Sequence, residues 1–193
     1  GSRINPEQKK YFRKIFESAS SGVNSFTLFI ERSLQLLAEG GTIGFLIPEA
    51  YLNIKAHSSS RMLVLNSGRI AEISQWGEQF KKVFAPSISI ILHKCSDYQR
   101  RHENIICVRN NNHLSNGTSL LIPQHYFHST FQNIFNVNYS HKAVSLINRI
   151  GECDCIYLEN NARFFLGIVT GKNGEHLSLE QNTTYRDPII IGK

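Results

Sequence analysis

The feature that most constrains this chain is the stretch Ala38–Leu52, AEGGTIGFLIPEAYL, where glycines lead into an apolar run that stops at a proline. Thr42–Ile47 carries no charge, is nearly all apolar and has too few residues for a helix. These properties predict a strand covered on both faces, as in a parallel or mixed α/β sheet. Pro48 ends the strand because its nitrogen has no hydrogen to donate.

A helix is predicted immediately before this strand, over residues 24–39. Asn24 or Ser25 is placed to cap its first turn, and Gly40 falls where a helix end favours a left-handed residue. The apolar side chains recur at steps of three and four, at Phe26, Phe29, Ile30, Leu34 and Leu37.

The glycines at 40, 41 and 44 do not form a phosphate-binding loop. Phosphate-binding and dinucleotide-binding loops place their glycines after a strand and before a helix, so that the helix N-terminus faces the phosphate. Here the order is reversed, and the P-loop lysine is missing. The glycines are therefore expected to turn a helix into a strand.

Further helices and strands are predicted along the chain from the spacing of apolar residues and from the glycine, proline and asparagine residues that end each element. A helix is predicted over residues 57–66, with Met62, Leu63 and Leu65 inward and Gly68 as its end. A second helix is predicted over residues 141–150, ended by Gly151. Residues 114–139 are expected to form a connecting segment with local structure. Strands are predicted at 69–74, 87–93, 104–109, 156–158, 164–169 and 188–191.

The charge balance is compatible with a polyanionic partner. The formal net charge is +6 and the isoelectric point is near 9.2, and cations gain by displacing counterions from phosphates. The basic residues are dispersed, however, so charge alone does not establish nucleic-acid binding.

The sequence argues against a metal site and against a membrane segment. The four cysteines include only one close pair, Cys153 and Cys155, which lacks the second pair that a structural zinc site needs. No window approaches the roughly 18 consecutive apolar residues of a membrane span, and no signal peptide is recognisable. We therefore predict a cytoplasmic protein with reduced thiols and no metal.

Three blocks of sequence together resemble a known family. They are NSFTLFIERSLQLLAEGGTIGFLIPEAYL at 24–52, GEQFKKVFAPSISIILHK at 77–94, and FFLGIVTGKNG at 164–174 with PIIIGK at 188–193. In this order they resemble the γ-class DNA adenine amino-methyltransferases of type IIG restriction-modification enzymes. The resemblance implies a partial Rossmann-like methyltransferase sheet over residues 3–140, followed by the β-rich start of a target-recognition domain over residues 141–193.

The resemblance also implies a reaction and a cofactor for the parent protein, with double-stranded DNA as its partner. S-adenosylmethionine would donate a methyl group to the exocyclic amine of an adenine flipped out of the duplex. The family's Asn-Pro-Pro-Tyr motif is absent, because Asn5-Pro6 is followed by Glu7 and Gln8. The glycine-rich donor loop is absent as well. This chain alone is therefore expected to be catalytically inert, an expectation that detectable methyl transfer would overturn.

Residue roles follow by position in the resembling blocks. Phe80 is expected to stack on the flipped base, with Phe84 as the competing candidate. Phe29 matches the position that packs near the adenine ring of the donor, although core packing would also explain it. Pro48 and Tyr51 follow the strand end where α/β sheets bind ligands, so we expect both near the cofactor.

Residues for DNA contact are predicted more loosely. Such groups position phosphates or read base edges. The candidates are Lys81, Lys82, Arg163, Lys172 and Asn173.

Alternatives remain open at this point. One is a non-enzymatic nucleic-acid-binding module, which the charge and the missing motif favour. Another is a methyltransferase-like domain acting on RNA or protein. No convincing endonuclease motif is present, although the parent could include such a domain. Gly1-Ser2 is expected to be a tag remnant.

Overall fold

The computed structural model describes residues 4–79, 85–110, 119–138, 140–154, 156 and 158–162. Its helices are α1 Pro6–Ile15, α2 Ser25–Leu36, α3 Ser58–Ser67, α4 Tyr98–His102, α5 Gln124–Ser129, α6 His141–Glu152 and α7 Leu158–Asn161. Its strands are β1 Thr42–Pro48, β2 Gly68–Gly77, β3 Ser87–Lys94, β4 Ile105–Asn110 and β5 Ser119–Pro123. Short 3₁₀ turns occur at Glu17–Ala19, Glu49–Leu52, Lys55–His57 and Phe131–Asn133.

The five strands form one mixed sheet in the order β1-β3-β2-β4-β5. The β2–β4 pair is parallel, and the β1–β3, β2–β3 and β4–β5 pairs are antiparallel. The prediction of an α/β fold with a mixed sheet is therefore confirmed.

The glycine turn joins α2 to β1 as predicted, and the structure shows how. Gly40 has a φ of 77°, in the left-handed region that glycine adopts without strain. The Gly40 N–H donates to the Lys94 carbonyl at 2.9 Å, and the Lys94 N–H donates to the Gly41 carbonyl at 2.8 Å. Helix α2 itself ends earlier, at Leu36, with Leu37 already extended. The glycines therefore fasten the start of β1 to the end of β3 rather than capping the helix.

The core lies between one face of the sheet and helices α2, α3 and α5. Ile90 of β3, which lies between β1 and β2, pairs with Phe45 of β1 and with Ile73 of β2. Ile30 and Leu34 of α2 belong to the same core cluster. Burying an isoleucine or leucine of this kind contributes about 1.5–3 kcal/mol.

The prediction that the first strand is covered on both faces is wrong for the described part of the chain. Among the described strands β1 pairs only with β3 and lies at the edge of the sheet, and its residues alternate between exposed and more buried positions. Leu46 remains 56% exposed. An uncharged apolar run cannot distinguish a central strand from an edge strand, because both satisfy the same composition.

Helix α3 forms one residue later than predicted, with a different inward face. Gly68 follows its last residue, as expected. Met62 was predicted inward but is 49% exposed, whereas Arg61 and Val64 are fully buried. The prediction named only apolar residues on the inward face, so it left out the buried Arg61.

The predicted strands at 69–74, 87–93 and 104–109 are confirmed as β2, β3 and β4. The segment at 114–139, predicted as a connection, in fact contains β5 and α5 in its described part. Gln124 fixes this region to the sheet, since its side chain accepts from the Ile70 N–H at 2.9 Å and donates to the Gly68 carbonyl at 2.9 Å.

The chain divides into two compact units, Gly1–Ser145 and Leu146–Lys193. Helix α6 continues through Gly151, which was predicted to end it. Residues 158–161 form the short helix α7 rather than extending the strand predicted at 156–158. The predicted strands at 164–169 and 188–191 lie outside the described residues.

Among the described residues, no helix is both long and apolar enough to cross a membrane.

Candidate functional site

A groove between α1 and α2 is the strongest candidate binding site. Helix α2 buries one stripe against the core and leaves Phe29 on another face, where its side chain is 68% exposed. Phe29 is therefore not part of the buried core. The groove has a volume of about 600 Å³, within the range of roughly 300–1,000 Å³ that is usual for small-molecule sites.

The groove has an aromatic side and a polar rim. Phe12 and Phe16 meet edge to face with ring centroids 6.1 Å apart. An exposed ring and an aromatic wall suit a flat, partly apolar ligand with polar substituents. The residues that line the groove are Ile4, Asn5, Gln8, Phe12, Phe16, Ser25, Leu28, Phe29 and Arg32.

The first helix is well formed at the mouth of this groove. Pro6 occupies its first turn, which suits a residue without an N–H. The Gln8 N–H donates to the Asn5 side chain at 2.8 Å, and the Asn5 N–H donates to the Gln8 side chain at 3.1 Å. This reciprocal capping box holds both polar side chains in place at the rim.

Glu31 connects α2 to the turn that precedes it. Glu31 is only 2% exposed. Its carboxylate accepts hydrogen bonds from the backbone N–H groups of Glu17 at 3.0 Å and Ser18 at 2.8 Å. These bonds satisfy donors at the start of a 3₁₀ turn that would otherwise lack partners. The turn follows Phe16 directly, so Glu31 helps to set the distance between the two walls of the groove.

Pro48 and Tyr51 lie elsewhere, at the C-terminal end of β1. Pro48 is exposed and pairs with Ser87 of β3. Tyr51 is fully buried and packs edge to face on Phe26 and Phe135, with ring centroids 5.9 and 6.0 Å apart. Neither residue lines the groove at Phe29.

The Tyr51 hydroxyl has a buried environment of its own. It lies 3.3 Å from the Ser60 hydroxyl. Burial raises the pKa of Tyr51 to about 12, although the Ser60 hydrogen bond and the Arg61 charge oppose the shift. The Tyr51 side chain has no exposed surface, so the donor-site proposal rests on Phe29.

Arg61 organises the segment that follows β1. Its guanidinium is fully buried and donates to the carbonyl oxygens of Tyr51 at 2.7 Å and Ile54 at 2.9 Å. It also donates to those of Gln132 at 3.0 Å and Asn133 at 2.8 Å. Burial lowers the pKa of Arg61 from its ordinary value, but arginine stays charged in proteins. A buried cation held by four backbone carbonyls ties two distant segments together.

His57 is a buried histidine beside this arginine. Its ring lies 5.0 Å from the Phe26 ring, centroid to centroid, and its Nδ1 has no hydrogen-bond partner among the described residues. Burial, and secondarily the charge of Arg61, lower the pKa of His57 below 6.5. The folded protein therefore resists protonation of this ring.

Because the pKa of His57 is lowered, we predict that the free energy of unfolding decreases in acid. An unfolded histidine titrates near 6.5 and the folded one at a lower pKa. The free energy of unfolding is therefore not reduced by His57 above about pH 6.5. As the pH falls from about 6.5 to the lowered pKa of His57, the unfolded chain gains a proton that the folded chain does not, and the free energy of unfolding decreases. His57→Gln removes the titration, so the unfolding free energy of the variant should change less between pH 7.5 and pH 5.5 than that of the unmodified chain. Urea titrations at both pH values measure the difference, and parallel changes would show that His57 is not responsible.

The region that contains Phe29 is similar to a known protein family. Residues 1–84 match the family described as Eco57I restriction-modification methylase. Over these residues the chain is therefore similar to restriction-modification methylases.

The relatives of the chain agree with this methylase assignment. The chain is 30% identical over 168 residues to the type II methyltransferase M.VspI of Vibrio sp. (strain 343), covering 86% of this chain and 39% of that protein. It is 34% identical over 74 residues to the type II methyltransferase M.TthHB8I of Thermus thermophilus, covering 38% of this chain and 17% of that protein. The chain thus spans about two fifths of the first relative's length.

A solved structure supports the fold. The type IIG restriction endonuclease BpuSI matches with a TM-score of 0.55 at 12% identity, covering 82% of this chain and 22% of that chain. The resemblance to methyltransferases of restriction-modification systems, inferred from three sequence blocks, is confirmed.

Several predicted site residues lie outside the described residues. They are Phe80, Lys81, Lys82, Phe84, Arg163, Lys172 and Asn173. Gly77 of β2 and Pro48 of β1 both pair with Ser87, so these two strand ends lie on either side of the start of β3. The roles of these residues in stacking and DNA contact stay predictions.

The described residues also bear on the metal prediction and on what sequence reasoning missed. No cluster of three or more metal-ligating side chains occurs among them.

The groove itself was not predicted from the sequence, although Phe12 and Phe16 are spaced one helical turn apart in the region that matches the methylase family. Glu31 carried a signal too, because it is the one acidic residue between Phe26 and Leu37.

Proposed function

We propose that the chain is part of a DNA methyltransferase of a restriction-modification system, which transfers a methyl group from S-adenosylmethionine to the exocyclic amine of adenine. The observation that carries the proposal is an exposed phenylalanine, Phe29, that lines a groove within the region matched to the methylase family. The relatives are type II methyltransferases, and adenine as the target rests on the sequence resemblance.

The residues present fit the proposed donor. Phe29 offers an exposed ring on which an adenine can stack, and Phe12 and Phe16 supply an apolar wall opposite α2. Arg32 lies one turn after Phe29 on the same groove, where its guanidinium can bind a carboxylate. When bound, S-adenosylmethionine supplies an electrophilic methyl group on a sulfonium centre.

A role in binding the target base is proposed for Phe80 or Phe84. An adenine amine inside a duplex is out of reach, so the target must be flipped and stacked on an aromatic side chain. We propose Phe80 for this contact and Phe84 as the alternative. Lys81, Lys82, Arg163, Lys172 and Asn173 are proposed to contact DNA. Because the sequence has no Asn-Pro-Pro-Tyr motif, we expect this chain to bind the donor without transferring its methyl group.

The donor site is tested by titrating the chain with S-adenosylhomocysteine, the demethylated product, in a calorimeter. The chain should bind it saturably, and Phe29→Ala should weaken binding at least about tenfold because the stacking surface is lost, equivalent to about 1.4 kcal/mol. Phe131→Ala is the matched control, since Phe131 is 70% exposed and does not line the groove.

Two results would count against the donor assignment. One is an equal loss of affinity in Phe29→Ala and Phe131→Ala, which would show that the groove is not the binding site. The other is saturable binding that Phe29→Ala leaves unchanged.

A further inference from the structure

Helix α1 carries a concentrated positive face. Four of its ten residues are cations and all four are exposed: Lys9, Lys10, Arg13 and Lys14. Its single acidic residue is Glu7. Within the described part of the chain, none of the four cations forms an ion pair with an acidic side chain.

The four cations share one side of the helix. At about 100° per residue, Lys9, Arg13, Lys10 and Lys14 fall within an arc of about 140°. The opposite arc contains Gln8 and Phe12, two of the residues that line the groove. The helix therefore turns its apolar side to the groove and its cations to the outside.

This arrangement is unfavourable for the helix by itself. Lys9 with Arg13 and Lys10 with Lys14 are like-charge pairs four residues apart, which destabilise a helix. Arg13 and Lys14 lie in the last turn, where their attraction to the negative end of the helix dipole offsets part of this repulsion. The capping box and Pro6 stabilise the first turn. A helix that keeps four unpaired cations on one face is suited to an external polyanion.

We infer that the outer face of α1 is a contact surface for the phosphate backbone of duplex DNA. The basic face extends over about 7.5 Å of helix axis, counting 1.5 Å per residue from Lys9 to Lys14. Duplex DNA presents one charge per roughly 1.7 Å of its axis, so several phosphates lie within reach of this face. Lysines and arginine on a helix surface position a backbone without reading bases.

DNA fits the observations better than a lipid surface or an acidic protein. A membrane-binding helix inserts its apolar side into the bilayer, but here that side carries Phe12, which faces the groove. The inference rests on the proposed function in one respect only, that the partner is DNA.

The test measures the salt dependence of binding between the chain and a fluorescent duplex of random sequence. The variant Lys10→Gln with Lys14→Gln removes two cations from α1. Each lost phosphate contact should flatten the slope of log K against log salt by about 0.9, so the double variant should flatten it by about 1.8. Lys9→Gln and Arg13→Gln added to it should flatten the slope further.

The matched control removes the same charge elsewhere. Lys55→Gln with Arg100→Gln also lowers the formal net charge by two, and both residues are exposed and outside α1. This pair should leave the slope within about 0.3 of the unmodified chain. Circular dichroism checks that the helices persist in every variant.

Three outcomes would overturn the inference. Equal slopes for the α1 variant and the control would leave DNA binding in place but assign it to another surface. No binding to duplex DNA at low salt would remove the partner, while the S-adenosylhomocysteine titration tests the donor site independently. Tighter α1-dependent binding to phosphatidylserine vesicles or to polyglutamate than to the duplex would assign the face to a lipid or to an acidic protein.

Discussion

Replacing Arg61 with methionine is expected to lower the free energy of unfolding by about 3–5 kcal/mol. The guanidinium satisfies four backbone carbonyls at distances of 2.7 to 3.0 Å in a fully buried position. Methionine fills a similar volume but donates no hydrogen bond. The carbonyls of Tyr51, Ile54, Gln132 and Asn133 would then remain buried without these donors.

The loss should be local as well as global. Gln132 and Asn133 have φ values of 55° and 53°, which non-glycine residues adopt at a cost. The Arg61 bonds hold these two residues in place. Without them, the turn at 131–133 should relax, and amide hydrogen exchange there should accelerate more than in the inner strand β3.

Urea denaturation measures the effect against two controls. Arg61→Lys keeps the charge but reaches fewer carbonyls, so its loss should be intermediate. Arg100→Met removes an exposed arginine and should change stability by less than about 0.5 kcal/mol. A loss below about 1 kcal/mol in Arg61→Met would contradict the assigned role.

Replacing Glu31 with alanine is expected to cost about 2–3 kcal/mol, because two backbone N–H groups lose a buried carboxylate acceptor. The same change should weaken S-adenosylhomocysteine binding, although Glu31 does not line the groove. The reason is that Phe16 precedes the turn that Glu31 holds. Glu31→Gln keeps one oxygen as acceptor and should recover part of both properties.

Glu39→Ala is the matched control for this prediction. The Glu39 carboxylate also accepts from a backbone N–H, that of Ser96 at 2.9 Å, but the residue is exposed. Its replacement should cost less than about 1 kcal/mol and leave ligand binding unchanged. If Glu31→Ala destabilised the chain yet bound the ligand as tightly as before, the turn would have no part in shaping the groove.

The regular elements of the sheet were predictable because each has a local cause. Alternation of serine and isoleucine specified β3, and Pro48 marked the end of β1. The glycine pair before β1 was correctly assigned to a turn, since its order relative to the helix excluded a phosphate loop. These inferences need only neighbours in sequence.

The rest depends on contacts between distant residues. Arg61 reads as a surface residue in sequence, and its burial depends on carbonyls about seventy positions away at 132–133. Strand β5 was missed because residues 119–123 are short and follow a polar stretch, and their position depends on pairing with β4. The edge position of β1 was missed for a related reason, since strand order is a property of the whole sheet.

The candidate site was predicted in part. Phe29 was named from family position, but sequence alone allowed either core packing or ligand contact, and only its exposure separates the two. The groove around it depends on α1 lying beside α2, which no local pattern encodes. Phe80 and the basic residues near it stay predictions.

The central claim is that the groove at Phe29 holds the methyl donor, and photochemical crosslinking tests it most directly. The chain is irradiated with methyl-labelled S-adenosylmethionine and digested with trypsin, which cuts after Lys14 and Arg32. The account predicts that the label is found in the peptide of residues 15–32, which contains Phe16 and Phe29, and that excess S-adenosylhomocysteine abolishes it. Label in other peptides alone, or label that the competitor does not displace, would contradict the account.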